Sequence, residues 1–330
     1  MQSHRRPDLR TVGGIRTAAL TRSGLSRRRQ PLISQRSMAQ ALEPKQGGID
    51  IVRSVDALRT RVAAWRRTGA TIGLVPTMGA LHDGHIALVR HALSRSDRVI
   101  ASIFVNPTQF GPNEDFARYP RDEEGDARML AEGGCHLLYA PTVAEMYPPG
   151  FSTTVTVGAI AEGLCGPFRP GHFAGVATIV AKLLSQTQPD IACFGEKDYQ
   201  QLQVIRRMVR DLDLPVRIEG VRTLRAPDGL ALSSRNRYLA PAQRRSAAAI
   251  YRVLTAIAER LRRRQTTIAA ALAWGKAELA EAGFAPIDYL SACDAIDLAP
   301  VDTLDRPARV LTAAWLGKTR LIDNVALEPG

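Results

Sequence analysis

An α/β fold, a doubly wound parallel sheet followed by a smaller C-terminal α+β domain, is predicted by three observations on this 330-residue chain. Short apolar runs alternate with amphipathic helical patterns from Ile49 to Val221. One such run ends in a glycine-punctuated turn that opens a helical pattern, Val75-Pro76-Thr77-Met78-Gly79-Ala80-Leu81-His82-Asp83-Gly84-His85. After Leu224 the texture changes to long helices followed by three apolar segments.

The elements follow in order. A brief strand at Ile51-Val52 and a helix from Val55 to Trp65 lead to a strand over Thr71 to Pro76. A helix over Ile86 to Leu93 and an apolar run from Val99 to Val105 complete a βαβ unit. Such a unit makes its strands parallel with a right-handed crossover, so both strand ends open on one edge and His82, His85, Asn106 and Gln109 converge there. Next come a helix over Ala127 to Gly133, a strand at Leu137-Leu138-Tyr139 and an extended piece at Val155-Thr156-Val157. A helix over Val176 to Leu184 precedes the strand Ile191 to Phe194, whose end delivers Gly195-Glu196-Lys197-Asp198. A helix from Tyr199 to Leu212 and a strand over Val216 to Val221 close the larger part. Beyond the turn at Pro227-Asp228-Gly229, Pro241 opens one long helix with apolar positions at Ile250, Val253, Leu254, Ile257 and Leu261. A second helix covers Ile268 to Ala282, and strands are expected around Asp288-Leu290, Ala308-Leu311 and Arg320-Ile322. The resulting division is a basic, disordered extension at 1–48, a Rossmann-like domain at 49–223 and an α+β lid at 224–330.

Composition narrows the function classes. With 45% hydrophobic and 23% charged residues the chain is that of a globular protein, and no run approaches the ~20 apolar residues of a membrane span. The net charge of +12 suggests nucleic acid, but residues 1–48 hold ten Lys/Arg and two acids, leaving 34 basic against 30 acidic residues elsewhere. That mild surplus suits small anions better than a duplex, so no nucleic-acid partner is expected. The extension reads first as an overextended start with Met38 as initiator, then as an organellar transit peptide, then as a basic arm. Cys135, Cys165, Cys193 and Cys293 lack zinc or disulfide spacing and read as reduced core thiols of a cytoplasmic protein.

The motifs carry the chemistry. A helix beginning near Asp83 offers unpaired N–H groups and a positive dipole end to phosphate, and the three-residue spacing puts His82 and His85 on one side of its first turn. Lys197 and Asp198, just after a strand, pair a cation for phosphate with a carboxylate for ribose or magnesium; Ser233, Ser234 and Arg235 form a hydroxyl-and-guanidinium loop. Asn106 precedes Pro107 and is either a turn former or a ligand. Asp122 and Asp126 could assist a metal, although nothing in their spacing demands it.

Taken with Phe104-Val105-Asn106-Pro107-Thr108-Gln109-Phe110, Arg169-Pro170-Gly171-His172-Phe173, Gly195-Glu196-Lys197-Asp198-Tyr199-Gln200-Gln201, Leu232-Ser233-Ser234-Arg235-Asn236 and Thr319-Arg320-Leu321-Ile322-Asp323-Asn324, the His82-Asp83-Gly84-His85 turn resembles the pantothenate synthetase family. That family belongs to the HIGH-motif nucleotidyltransferase superfamily. The resemblance spans about residues 49 to 327 and implies an ATP-dependent ligase that joins pantoate to β-alanine through a pantoyl adenylate. It implies catalytic roles for His85, His82 and Lys197. It implies an ATP site of Pro76, Met78, Gly79, His82, Gly84, His85, Gly195, Glu196, Lys197, Asp198, Leu224, Leu232, Ser233, Ser234 and Arg235. Gln109 and Gln201, with Asn106, would hold pantoate or β-alanine, because an amide accepts from a hydroxyl while donating to a carboxylate. The resemblance also implies Mg²⁺ and a homodimer. Leu232 stands where the family commonly has methionine, His172 is expected to be structural, and Tyr119-Pro120-Arg121-Asp122 a loop near the site. Two alternatives remain at this point: a nucleotidyltransferase of the same architecture with another acid, which Arg or Lys in place of Gln109 and Gln201 would have signalled, and a noncatalytic RNA-binding protein acting through residues 1–48.

Overall fold

Helix caps and parallel strand pairing set the frame of the structure, a computed structural model that describes residues 48–112 and 114–329. The expected extension, apart from Gly48, lies outside the described residues. Strands β1 (Asp50–Val52), β2 (Ile72–Thr77), β3 (Arg98–Ile103), β4 (Leu137–Tyr139), β5 (Ile191–Gly195) and β6 (Arg217–Val221) form one parallel sheet in the order β1-β4-β3-β2-β5-β6. From β2 the chain winds through β3 to β4 on one side and returns to place β5 and β6 on the other, so the winding reverses between β2 and β5.

Helices cover both faces. Helix α1 (Val55–Arg67) is capped by Ser54, whose hydroxyl accepts from the Ala57 amide at 3.2 Å. With α5 (His172–Thr187) and α6 (Tyr199–Asp211) it encloses a core containing Leu58, Leu74, Ile100, Val180 and Leu202. Helices α2 (Asp83–Leu93) and α3 (Glu123–Glu132) cover the opposite face over Val75, Val89, Val99 and Leu130. Between β4 and α5 runs a short helix, α4 (Val143–Met146). No strand forms at Val155–Val157: the Val155 amide donates to the Thr178 hydroxyl of α5 at 2.9 Å, so a side chain replaces the expected ladder.

The C-terminal part is an antiparallel sheet, β7 (Phe284–Asp294), β8 (Ala308–Leu316) and β9 (Thr319–Leu327), packed on α7 (Pro241–Ala247), α8 (Ala249–Arg262) and α9 (Ile268–Glu281). The single long helix expected from Pro241 is two, interrupted for one residue at Ala248, while the stripe Ile250, Val253, Leu254, Ile257 and Leu261 is buried as expected. All three strands run longer than their apolar centres indicated, because cross-strand pairing extends the extended backbone into polar residues such as Asp323 and Asn324. The four cysteines are buried and free, and among the described residues no helix is long and apolar enough to cross a membrane.

Candidate active site

In an open parallel sheet, ligands bind beyond the carboxyl ends of the strands where the winding direction reverses. Here that point lies beyond Thr77 of β2 and Gly195 of β5, and a cavity of about 220 Å³ opens there. It brings together Pro76, Met78, His82, Gly84, His85, Asn106, Gln109, Gly195, Lys197, Asp198, Gln201, Leu224, Leu232, Ser233, Ser234 and Arg235. Gly79 and Glu196, expected in the same set, lie behind the wall: Gly79 is a left-handed turn residue with φ +79°, and the Glu196 carboxylate pairs with Arg309 at 3.1 Å.

The β2–α2 turn is built around backbone demand. Asp126 takes the Ala80 and Leu81 amides at 2.8 and 2.7 Å with its two oxygens, and Asp122 caps α3 by accepting from the Gly125 amide at 3.0 Å. Both Asp126 oxygens thus hold the turn and one Asp122 oxygen holds the helix, which corrects the metal-assisting role considered for Asp126. His82 is the N-cap of α2, its Nδ1 accepting from the Gly84 amide at 3.1 Å, and His85 Nδ1 accepts from the His82 amide at 3.3 Å. A side chain at position 84 would come within 2.8 Å of the His82 ring, which explains the glycine between them. The ring centroids stand 4.2 Å apart.

Burial, then the charges of Lys197 and Arg237, pushes the His82 pKa down to about 4; burial and His82 push that of His85 down to about 3. Both rings are neutral at pH 7. With each Nδ1 accepting, each Nε2 carries the proton, and the site owns two uncharged N–H donors.

The β5–α6 turn supplies the cation. Its nearest carboxylate is Asp198, 3.9 Å from Lys197 Nζ and about half exposed. Asn324 of β9 donates to the Glu196 and Lys197 carbonyls at 2.9 and 3.1 Å, so the C-terminal sheet fastens this turn from behind. One turn into α6, the Gln201 amide has no hydrogen-bond partner among the described residues.

Across the cavity, Leu224 and Leu232 are joined by a 2.9 Å backbone bond, and the hairpin between them is tied to β9 by the fork of Arg225 on Asp323 at 2.6 and 2.9 Å. Ser233 accepts from the Arg235 amide at 3.3 Å, which leaves its proton to donate. Ser234 instead donates to the Ala80 carbonyl at 2.9 Å, so its proton is held by the backbone while the residue lines the cavity. Arg235 grips Asp115 with two bonds of 3.1 and 2.9 Å.

Asn106 lines the cavity with its amide already engaged. Its amide donates to Gln109 Oε1 and the Gly175 carbonyl at 3.0 and 3.2 Å and accepts from Tyr147 at 2.8 Å. Both N–H groups are engaged, and one of them supports Gln109. Gln109 keeps one N–H, the other lying 3.1 Å from Met78 Sδ.

Sequence reasoning missed Arg222 and Thr223, which line the cavity just past β6; the strand-end rule that found Lys197 applies to them equally. It also missed Val176, Ile179, Val180 and Leu183 of α5, whose helical spacing reads as ordinary core. Tyr119, read only as part of a nearby loop, lines the cavity as well.

Among the described residues no cluster of three His, Cys, Asp or Glu side chains could hold a metal ion. Magnesium characteristically binds through one or two carboxylates and substrate phosphates, so Asp198 alone is a fitting donor for a cation arriving with a nucleotide.

The family model described as pantoate-beta-alanine ligase matches residues 50–326. A pantothenate synthetase from Paramagnetospirillum magneticum is 62% identical over 85% of this chain and 99% of its own length, and that of Rhodospirillum rubrum is 56% identical over 84% and 99%. The crystal structure of pantothenate synthetase from Thermus thermophilus is similar with a TM-score of 0.80 at 48% identity, covering 85% of this chain and all of that one. The Francisella tularensis pantoate-beta-alanine ligase, solved in complex with beta-gamma ATP and beta-alanine, gives 0.71 at 35% identity over 84% of this chain and 97% of its own. On these matches, and on a parallel-sheet cleft lined with donors and glutamines, the chain belongs to the pantoate-beta-alanine ligase family.

Proposed function

We propose that this cleft condenses (R)-pantoate with β-alanine at the expense of ATP, giving pantothenate, AMP and diphosphate. The observation that carries the reading is the juxtaposition, in one cavity, of neutral imidazole donors, Lys197, Ser233 and Arg235 with the amides of Gln109 and Gln201. The first set suits a triphosphate, whereas the amides suit a hydroxy acid. Glutamines at both acid positions argue against an acid that is itself phosphorylated.

A carboxylate resists direct attack by an amine because it is a poor electrophile with a poor leaving group. In the proposed route a pantoate carboxylate oxygen attacks the α-phosphorus, the bond to diphosphate breaks, and the β-alanine amine then attacks the acyl carbon and expels AMP. The chain's part is positioning and charge stabilisation. His82 and His85 donate Nε2–H to phosphate oxygens, Lys197 meets charge accumulating on the transferring phosphate, and Leu224 and Leu232 flank the base. Magnesium entering with ATP would neutralise phosphate charge, with Asp198 as the protein donor. We further propose a cytoplasmic homodimer, with residues 49–223 carrying the acid and most nucleotide contacts and 224–330 closing over the triphosphate.

The test is β-alanine-dependent AMP formation by the purified chain, with pantoate compared against other hydroxy acids. Lys197→Ala is expected to lower kcat/KM by about 10²-fold or more; full activity in that variant, or equal turnover of phosphorylated acids, refutes the assignment.

A further inference from the structure

The segment Arg169–Phe173 is left without a task by this reading, and His172 does not line the cavity. Its surroundings are nevertheless built. The buried His172 ring stands edge-on to Phe173, with centroids 4.9 Å apart. Its Nε2 lies 2.9 Å from Arg169 Nη1 and its Nδ1 2.9 Å from the Gln109 carbonyl. A guanidinium only donates, so Nε2 is the acceptor and Nδ1–H donates to Gln109. Arg169 is fixed by the Glu114 carboxylate through bonds of 2.7 and 2.6 Å, and reaches the same Gln109 carbonyl at 3.4 Å. Helix α5 also presses on this turn: a Cβ at Gly175 would fall 2.4 Å from the Thr108 carbonyl.

We infer that Glu114, Arg169 and His172 are positioning residues that lock the Gln109 backbone and so aim its amide at the acid, without touching substrate themselves. The inference rests on the reading of Gln109 as a pantoate ligand. A buried imidazole with one nitrogen accepting from arginine has a single tautomer, and its burial, reinforced by Arg169, holds the pKa down to about 4, so the Nδ1–H donor persists across the working pH range. Rotation of the Gln109 peptide would leave that donor unpaired in the interior, which is the restoring force on the turn.

The test is steady-state kinetics of the full-length chain with pantoate and ATP varied separately. His172→Phe keeps the ring and its contact with Phe173 but loses the donor; the expected result is an about tenfold rise in KM for pantoate with KM for ATP within about twofold. His172→Asn, whose amide N–H can replace Nδ1–H, is expected to recover most of that loss. Arg169→Lys, which keeps the charge but not the fork, should show the same selectivity at about threefold, and serves if His172→Phe does not fold. In parallel, Gln109→Ala should raise KM for pantoate, and adding His172→Phe to it should cost no more. Equal effects on both substrates, or an asparagine no better than phenylalanine, reduces His172 to packing and overturns the inference. An unchanged pantoate KM in Gln109→Ala removes the reading of Gln109 itself, and the inference with it.

Discussion

The two loops that face the proposed triphosphate are built in opposite ways. The His82–His85 turn is finished: its backbone is held by Asp126, its imidazoles are oriented by their own helix, and both Nε2–H groups remain to be used. The Ser233–Arg235 loop is partly engaged elsewhere, with Ser234 on the Ala80 carbonyl and Arg235 on Asp115, and keeps the Ser233 proton. One side is preorganised for an anion; on the other, Asp115 takes two of the five Arg235 N–H donors and competes with a phosphate for the guanidinium charge, while the Ser233 proton and the remaining Arg235 donors are left to contribute. Preorganised donors stabilise developing charge without reorganisation, so the histidine turn should dominate the chemical step and the arginine loop should govern nucleotide affinity.

The sharpest way to break that comparison is His85→Ala. It removes a cavity donor while leaving His82 as the helix cap, and kcat is expected to fall by about 10²- to 10³-fold with KM for ATP changed much less. Arg235→Ala should do the reverse, raising KM for ATP by about tenfold or more with a smaller loss in kcat. Equal kcat losses in the two variants would show that the arginine loop is as much a part of the chemistry as the turn.

These two loops also differ in how far they could be read from the chain. His82, Gly84 and His85 lie within one helical turn, so strand, turn and helix rules sufficed to bring the rings together. The parallel sheet was equally legible, because each βαβ unit is a local pattern with one handedness. The state of Arg235 depends on Asp115, 120 positions away, and that of Ser234 on a carbonyl 154 positions away. No periodicity encodes such pairs. The same holds for the acid side, where Gln109 and Gln201 were identified by resemblance and the commitment of the Asn106 amide required coordinates. Strand lengths in the C-terminal sheet were underread for a related reason: pairing partners, not hydrophobicity, extend β8 and β9 into polar residues.

A pH experiment separates the loops by a different property. His82, His85 and His172 all have folded pKa values below the ordinary value near 6.5. The unfolded chain therefore takes up protons first as pH falls, so the stability these rings contribute is complete above about pH 6.5 and is lost as pH drops through the folded values, about 4 for His82 and His172 and about 3 for His85. The thermal midpoint should fall steeply across that window, and less steeply in a His82→Asn, His85→Asn double variant. The same depression means that the free enzyme's kcat/KM for ATP should show no acidic limb near pH 6.5 from these rings. A limb there, abolished by His85→Asn, would show that His85 works as an imidazolium and that the turn is less finished than its geometry indicates.

The smallest expected effect bears most directly on the loop whose arginine is shared with a carboxylate. Asp115→Asn keeps the size and one acceptor at the position but removes the charge that competes with phosphate for the Arg235 fork. The Arg235 side chain is about one-third exposed, with the phenol ring of Tyr119 6.0 Å away, and in the variant its fork would face a neutral amide while the more distant Asp198 carboxylate remained. Two opposed consequences follow. Loss of the competitor favours ATP, whereas loss of the two bonds lets the guanidinium wander and costs orientation. The charge effect acts on every bound phosphate oxygen nearby, whereas the asparagine oxygen still accepts one bond from the fork and limits the loss of orientation, so the balance favours a KM for ATP about threefold lower with kcat little changed. Isothermal titration of a nonhydrolysable ATP analogue into the two proteins reads this difference directly. Weaker binding in the variant would mean that Asp115 serves to aim Arg235 at the nucleotide, and the two loops would then be alike in being preset for their ligand.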